Sequence, residues 1–352
     1  MKKFSSELLK WYDEVKRQLP FRDVDDPYKI WLSEIMLQQT QVETVIPYYN
    51  RWIKKHPTIN SVAKADLSSL LKLWEGLGYY ARCRNLHNAA KIIVKHNSGQ
   101  IPKDMEYFRT LPGVGDYTSA AVMSIAFGKP VPVIDGNVKR VMARILGRKK
   151  LSHRNISFFR NRLNEFISKT RPGDFNQALM ELGAKICTPK SPKCTQCPIG
   201  FLCWARTSLT PEAYPTPIRK KKSPHYNVVA GIIWRGNKFY IQKRDEKGLL
   251  GGLWEFPGGK VAKEESLKKA LKREIKEECG VFPRVIKKIG AIKHAYTHFS
   301  ITLHGFHCEE NGTKVLKRKN TIWINRDQIS EFAFPKANHK LFTILDQQDW
   351  HV

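Results

Sequence analysis

Residues 187–203 read CTPKSPKCTQCPIGFLC, which spaces Cys187, Cys194, Cys197 and Cys203 as C-x6-C-x2-C-x5-C. Four thiolates this close in sequence can wrap one tetrahedral metal or a cubane cluster. Structural zinc sites usually pair two short C-x2–4-C knuckles, and only one short pair occurs here. A single tight pair with longer spacers suits a [4Fe–4S] cluster better, and a zinc ribbon is the alternative that spacing alone leaves open. The chain has seven cysteines, an odd number with four crowded into this loop. That is no disulfide framework, and it implies a reducing compartment, with the cytoplasm expected. Lys190, Lys193 and Arg206 give the loop the positive charge a phosphate-contacting surface needs.

Upstream of the loop, residues 1–186 read as mostly helical. Leu8, Leu9, Tyr12 and Val15 fall at helical spacing in a segment that Pro20 is expected to end. Amphipathic patterns continue through 28–37, 42–55, 82–96, 116–127, 136–146, 155–168 and 175–186, joined by short Gly- or Pro-bearing connections. An all-α domain over 1–207 is expected. Residues 208–225 hold Pro211, Pro215, Pro217 and Pro224 with the basic run Arg219 to Lys222, the composition of an extended linker. Beyond it the texture turns to strands. Val228–Trp234 and Phe239–Ile241 flank a Gly236-Asn237 turn, and further strands are expected near 284–293, 299–307 and 321–324. Helices are expected at about 264–278 and 337–347, so 226–352 reads as an α+β domain.

The chain carries 61 Lys and Arg against 32 Asp and Glu, a formal net charge of +29. Such an excess points to a polyanionic partner, of which nucleic acid is the commonest. No apolar run follows the N-terminal Met1-Lys2-Lys3-Phe4, and none approaches the roughly 18 residues of a membrane span. Neither a secretory signal nor a membrane partner is expected, and a monomer is.

Between two helical patterns lies Leu111-Pro112-Gly113-Val114-Gly115. Glycines so placed let backbone N–H groups turn outward at a helix start, where an anion is favoured, and grip a phosphate without reading sequence. Twenty residues past Gly115 comes Asp135, at a position where a helix N-cap is the ordinary role. Together with the cysteine loop, these features resemble the helix–hairpin–helix base-excision glycosylases of the endonuclease III superfamily. Within it, the run Trp31-Leu32-Ser33-Glu34-Ile35-Met36-Leu37-Gln38-Gln39-Thr40-Gln41-Val42 resembles the adenine DNA glycosylases, as does Gly76-Leu77-Gly78-Tyr79-Tyr80-Ala81-Arg82. The resemblance spans nearly all of 5–205. Bifunctional members carry a lysine nucleophile two residues after the second hairpin glycine. Here that residue is Tyr117, which argues against strand cleavage.

The resemblance implies a reaction. Glu34 would protonate adenine on the ring, at N7, and later help activate water. Asp135 would stabilise the oxocarbenium-like sugar, the two-carboxylate logic of a glycosidase. Tyr117 would hold the geometry between them and Asn137 would orient an acid or the water. Glu34 lies in an apolar run, and burial there would keep it protonated near neutral pH. The target base must leave the stack. By resemblance, Gln39 fills the vacated space, Tyr79 wedges beside the opposite base, and Arg22, Leu37, Val42 and Gln177 line the adenine pocket. Phe21 stands where the family often has Trp. The implied partner is double-stranded DNA with adenine opposite 8-oxoguanine or guanine, and the implied setting is the nucleoid.

The C-terminal half resembles the Nudix fold that these glycosylases use to recognise 8-oxoguanine. Their recognition loop commonly reads Phe-Ser-His, and here it reads Tyr296-Thr297-His298, with Thr297 replacing the serine. Residues Gly259, Glu265, Arg273, Glu274, Ile275, Glu277, Glu278, Gly280 and Val281 complete a Nudix hydrolase signature that the family usually has degraded. Glu274, Glu277 and Glu278 share one helix face, where oxygen ligands can hold Mg²⁺ on a diphosphate. The intact box is either a relic or a working 8-oxo-dGTP pyrophosphohydrolase. Three other functions compete with adenine excision: a bifunctional endonuclease III-type glycosylase/lyase, disfavoured by Tyr117; a nucleotide hydrolase tethered to DNA; and a non-catalytic DNA-binding iron–sulfur protein. Glu34 and Asp135 disfavour the last two.

Overall fold

The computed structural model describes residues 2–217, 223–311, 315, 320–348 and 350. The whole basic run Arg219 to Lys222 therefore lies outside the described residues. Packing divides the chain into two units, 1–64 with 85–220 and 65–84 with 221–352. Composition predicts one contiguous boundary near residue 207, and the segment 65–84 departs from it.

The first unit is helical. Its helices include Lys2–Val15, Pro27–Leu37, Val42–Lys55, Asp116–Ile125, Gly136–Ile145, His153–Phe166 and Pro172–Lys185. Local chemistry sets their starts. Asp26 accepts a hydrogen bond from the Tyr28 N–H and Pro27 occupies the first turn, while Ser152 caps His153–Phe166 through the Asn155 N–H. The first helix ends at Val15, not near Pro20. The residues that follow are recruited elsewhere, since Arg17 and Arg22 both reach the buried Glu181. Phe4, Leu8 and Tyr12 then pack with Val141, Phe166, Phe175 and Leu182 in one core, Phe4 stacked on Phe166 at 4.5 Å. Two short helices of this unit, Ile59–Lys64 and Met105–Arg109, and Leu67–Trp74 of the second unit have too few turns for their periodicity to show in the sequence.

In the second unit six strands form one mixed sheet: β1 (His225–Arg235), β2 (Lys238–Lys243), β3 (Trp254–Glu255), β4 (Pro283–Ala295), β5 (Ser300–Glu310) and β6 (Thr321–Ile324). The order is β3-β2-β1-β5-β4, with β6 also on β2. β1 and β2 are joined through the expected two-residue turn, Gly236 standing at φ +60°. β1 and β5 run parallel, pairing His225 with Ser300 through Trp234 with Glu309.

A helix covers each face of the sheet. Leu267–Cys279 buries Leu271 and Ile275 on one side, and Lys336–Asp346 buries Leu341 and Leu345 on the other. Two glycines admit them, because a Cβ on Gly231 would meet Ile275 Cδ1 at 2.6 Å and one on Gly305 would meet Leu341 Cδ1 at 2.6 Å. The segment 65–84 is bonded into this unit. Lys72 Nζ donates to the Phe332 carbonyl at 2.7 Å, Glu75 Oε1 accepts from the Phe334 N–H at 2.6 Å, and Arg84 donates to the Gly251 carbonyl at 2.7 Å.

The segment after Cys203 is more fastened than its prolines imply. The Pro211 and Tyr214 carbonyls accept from Arg144 Nε, and the Thr216 N–H donates to the Lys149 carbonyl at 2.8 Å. Among the described residues, no helix is long and apolar enough to cross a membrane.

Candidate functional site

A cavity of about 200 Å³ in the first unit is lined by Glu34, Tyr117, Asp135 and Asn137, and also by Arg22, Leu37, Val42 and Gln177. The sequence nominates these as two groups, reacting residues and pocket walls, and the fold brings all eight to one place. Glu34 faces the cavity from Pro27–Leu37, Tyr117 from Asp116–Ile125, and Asp135 and Asn137 from the start of Gly136–Ile145.

Glu34 is 6% exposed, and its Oε2 accepts a 2.7 Å hydrogen bond from the Tyr117 phenol. Burial pushes its pKa up to about 7. The Tyr117 bond and Arg22 oppose that rise, and the nearby Asp135 adds to it. The Tyr117 phenol is itself driven well above its ordinary range by burial and by Glu34, so it stays a donor. No amine stands at this position to form a Schiff base. Asp135 does cap its helix, Oδ1 accepting from the Val138 N–H at 2.6 Å, and it lines the cavity as well. The two roles coexist. The approach to Asp135 is fixed from behind by the buried Asn176, which accepts from the Val133 N–H and donates to Ser124 Oγ and the Val131 carbonyl.

The sequence did not nominate Glu181. It is 1% exposed, lines the cavity, and receives Arg22 at 2.6 Å and Arg17 at 2.7 Å. It holds Arg22 against the pocket wall, and the arginines keep its carboxyl below the usual range despite burial. The signal was available, since Glu181 interrupts the apolar run Ala178 to Leu182 much as Glu34 interrupts its own.

The hairpin has the expected form. Leu111 and Val114 are buried anchors, while Gly113 and Gly115 are exposed. Gly113 stands at φ +78°, and a Cβ there would strike Asn85 at 2.7 Å. Nothing lies within 4 Å of a Cβ built on Gly115, which caps Asp116–Ile125 and leaves its backbone open to an approaching phosphate. Gln39 is exposed at φ +55°, and Tyr79, in the second unit, stands at φ +49°. Left-handed backbone at a non-glycine residue is a strained conformation that gathers at functional positions.

The four cysteines of 187–203 are free thiols lining one small cavity with Arg144, Gly200 and Arg206. Among the described residues no three His, Cys, Asp or Glu side chains converge closely enough to hold a single metal ion. The thiols ring a space, and that fits a cluster. Arg144, 2% exposed, donates to Cys187 Sγ at 3.2 Å and to the Thr188 and Pro189 carbonyls. Arg140 joins this loop to the reaction cavity, Nε donating to the Cys187 carbonyl at 2.8 Å and Nη2 to Asn137 Oδ1 at 2.9 Å. Lys190, Lys193 and Arg206, which give the loop its positive charge, are exposed.

In the second unit the Tyr296 N–H donates to the Phe299 carbonyl in a tight turn that exposes Thr297 and His298. Thr297 Oγ1 lies 2.6 Å from the Tyr79 hydroxyl. The three signature acids are not gathered as a ligand set. Glu278 Oε2 accepts from the Gly258 N–H and Gln242, Glu274 pairs with Arg273, and Glu277 is largely exposed beside Arg273.

A helical unit with a two-glycine hairpin opening a helix, a buried acid in one cavity with an aspartate and a cysteine loop defines a helix–hairpin–helix base-excision glycosylase. Residues 32–164 match the HhH-GPD superfamily of base excision DNA repair proteins, 187–203 the iron–sulfur binding domain of endonuclease III, and 228–343 the NUDIX domain. The chain belongs to the adenine DNA glycosylases. It is 33% identical to the human adenine DNA glycosylase over 98% of this chain and 74% of that protein. Against the mouse protein the figures are 36%, 97% and 78%, and against that of Buchnera aphidicola subsp. Schizaphis graminum 33%, 97% and 98%. A thermostable thymine-DNA glycosylase structure matches with TM-score 0.55 and 30% identity over 58% of this chain and 95% of that one. A trapped endonuclease III–DNA intermediate shares the fold at TM-score 0.51 and 22% identity, covering 59% and 99%. The 187–203 loop accordingly holds an iron–sulfur cluster.

Proposed function

We propose that the chain excises adenine mispaired with 8-oxoguanine or guanine in duplex DNA, without cutting the strand. The observation that carries this reading is the buried Glu34, held by the Tyr117 phenol in one cavity with Asp135. Glu34 protonates the extruded adenine, the C1′–N9 bond breaks, and the bonding electrons leave with the base. Asp135 stabilises the positive sugar that remains. Water then adds to C1′ and gives its proton to Glu34, which restores the acid. Arg22, held by Glu181, and Gln177 are placed to orient the base, while Leu37 and Val42 pack its faces. Asn137, bridged to the cluster loop by Arg140, orients the water. Cys187, Cys194, Cys197 and Cys203 would hold the cluster, which would brace the loop carrying Lys190, Lys193 and Arg206 for contact with the DNA backbone.

Gly113 and Gly115 supply N–H groups to a phosphate, and Gln39 fills the gap left by adenine. Tyr79 wedges beside the opposite base, next to the Tyr296-Thr297-His298 loop that reads its oxidation. The 2.6 Å approach of Thr297 to Tyr79 supports that pairing of roles. The test is single-turnover adenine release from duplexes with adenine opposite 8-oxoguanine or guanine. Glu34→Gln and Asp135→Asn should abolish release and leave duplex binding within a few-fold. Full activity in either variant overturns the mechanism. Borohydride treatment should trap no covalent adduct with the wild-type chain, and efficient trapping would favour a lyase.

A further inference from the structure

Tyr79 is carried on a loop braced by its own bonds. Gly76, Gly78 and Tyr79 all stand at positive φ, +94°, +77° and +49°. Trp74 Nε1 donates to the Gly78 carbonyl at 3.0 Å, and the Gly76 N–H donates to the Tyr80 hydroxyl at 3.0 Å. Arg82 donates to the same Gly78 carbonyl, and its guanidinium lies 5.4 Å from the Trp74 ring centre and 5.3 Å from that of Tyr79. A loop closed on itself in this way moves as one body. What aims the Tyr79 ring is therefore whatever holds the loop's stem, the helix Leu67–Trp74.

Glu75 stands where stem meets loop, at the C-terminal cap of that helix. Its Oε1 accepts from the Phe334 N–H at 2.6 Å and receives His339 Nε2 at 2.7 Å, while Oε2 pairs with Lys72 at 2.7 Å. Burial alone would raise the carboxyl's pKa, but the bonds from His339, Lys72 and the Phe334 N–H outweigh it and hold the group below its ordinary range. Bonds to an ionised acceptor are short and directional, so they fix the stem as well as hold it. The partners are themselves well anchored. Phe334 is fully buried, and His339 lies edge-on to both Phe334 and Phe342. Tyr296 and Phe299, the two ends of the Thr297 turn, pack against the same core as Phe334. One core thus carries the Thr297 turn directly and the Tyr79 loop through Glu75, and the two hydroxyls meet at 2.6 Å.

We propose that Glu75 is a positioning residue for lesion discrimination, latching the Tyr79 loop to the Phe334 and His339 corner of the second unit so that Tyr79 and Thr297 meet the opposite base as one surface. This rests on the roles proposed above for Tyr79 and the Tyr296-Thr297-His298 loop, and it adds a residue that touches neither base nor sugar. Guanine and 8-oxoguanine differ only in the oxygen at C8 and the proton at N7. Telling them apart requires the reading groups to be held to within about 0.5 Å, whereas wedging a base step open does not. Loosening Glu75 leaves the bonds inside the loop in place and blurs the aim of Tyr79 relative to Thr297. Discrimination is then lost before excision is.

The test uses the full cluster-loaded chain and single-turnover adenine release opposite 8-oxoguanine and opposite guanine, with melting and iron content as checks on folding. Glu75→Leu should lower the ratio of the two rates about tenfold or more. Glu75→Gln keeps an acceptor for the Phe334 N–H without the charge, and its ratio should fall between the two. His339→Leu removes a partner from the other side and should shift the ratio the same way; these two variants carry the test if Glu75→Leu does not fold. Once Thr297→Val has removed the contact with Tyr79, adding Glu75→Leu should change the ratio by less than about twofold, because both act through one contact. Rates that fall equally opposite both bases would make Glu75 a structural residue only and overturn the proposal. A ratio unchanged by Glu75→Leu, Glu75→Gln and His339→Leu but lowered by Tyr79→Ala would overturn the latch and leave the roles of Tyr79 and the loop standing. A ratio that Tyr79→Ala and Thr297→Val also leave unchanged would overturn both.

Discussion

A carboxyl that is to deliver a proton near neutral pH has to be kept from losing it, and the surroundings of Glu34, the proposed acid, do this. Its ordinary pKa of 4.5 rises to about 7, chiefly through burial, even though the Tyr117 bond and Arg22 pull the other way. Adenine release should therefore be level below pH 7 and fall about tenfold per pH unit above it, as the protonated fraction falls. A single-turnover pH profile checks this, and a profile flat to pH 9 would remove Glu34 from the acid role. Stability follows with a definite sign. The folded pKa is the higher one, so the contribution is fully present below pH 4.5 and is lost as pH rises through about 7. The loss is on the order of 3 kcal/mol. Glu34→Gln has no charge to bury, so its melting temperature should gain on wild type between pH 5 and pH 8. An equal gap at both values would mean that Glu34 is not buried in solution.

At the scale of elements, the cluster loop shows what local sequence conveys and what it does not. Its cysteines are legible because four ligands on one short segment need no knowledge of the rest of the chain. The residue that holds the loop in place is distant. Arg144 lies 43 positions before Cys187, in the helix Gly136–Ile145, and its guanidinium bonds Cys187 Sγ and four carbonyls. Arg144→Met should leave these acceptors unpaired in a buried place, at a cost of several kcal/mol. Purified protein should carry less iron per chain and bleach faster under chelator, as read by iron content and visible absorbance. Iron retention equal to wild type would mean that the cysteines alone suffice. The same limit applies elsewhere. Glu34, Asp135 and the hairpin glycines are legible from their short motifs. Asn176 and the Arg17 and Arg22 pairs with Glu181 join positions far apart in sequence, and only the folded chain brings them together. The parallel pairing of β1 with β5 was unreadable for that reason, whereas the strand positions themselves follow from alternation.

At the scale of the whole molecule, the proposed chemistry and the proposed lesion recognition fall unevenly on the two units. Every residue lining the reaction cavity lies between Arg17 and Ala184, outside 65–84 and before the second unit's sheet. Tyr79, by contrast, is on the segment that packs with 221–352, and its hydroxyl meets Thr297. A chain ending at residue 217 keeps the Thr216 bond that fastens the end of the first unit. It loses the acceptors and donors that serve Lys72, Glu75 and Arg84. Such a chain should still release adenine opposite guanine, within about tenfold of the full-length rate, because Glu34, Tyr117 and Asp135 are intact. Its melting temperature should drop, since buried contacts of the 65–84 segment become exposed. Its preference for adenine opposite 8-oxoguanine over adenine opposite guanine should collapse, because both the reading loop and the support of Tyr79 are gone. Single-turnover rates on the two duplexes give the ratio directly. A ratio unchanged by the truncation would place lesion reading inside the first unit and leave the Tyr296-Thr297-His298 loop without that role.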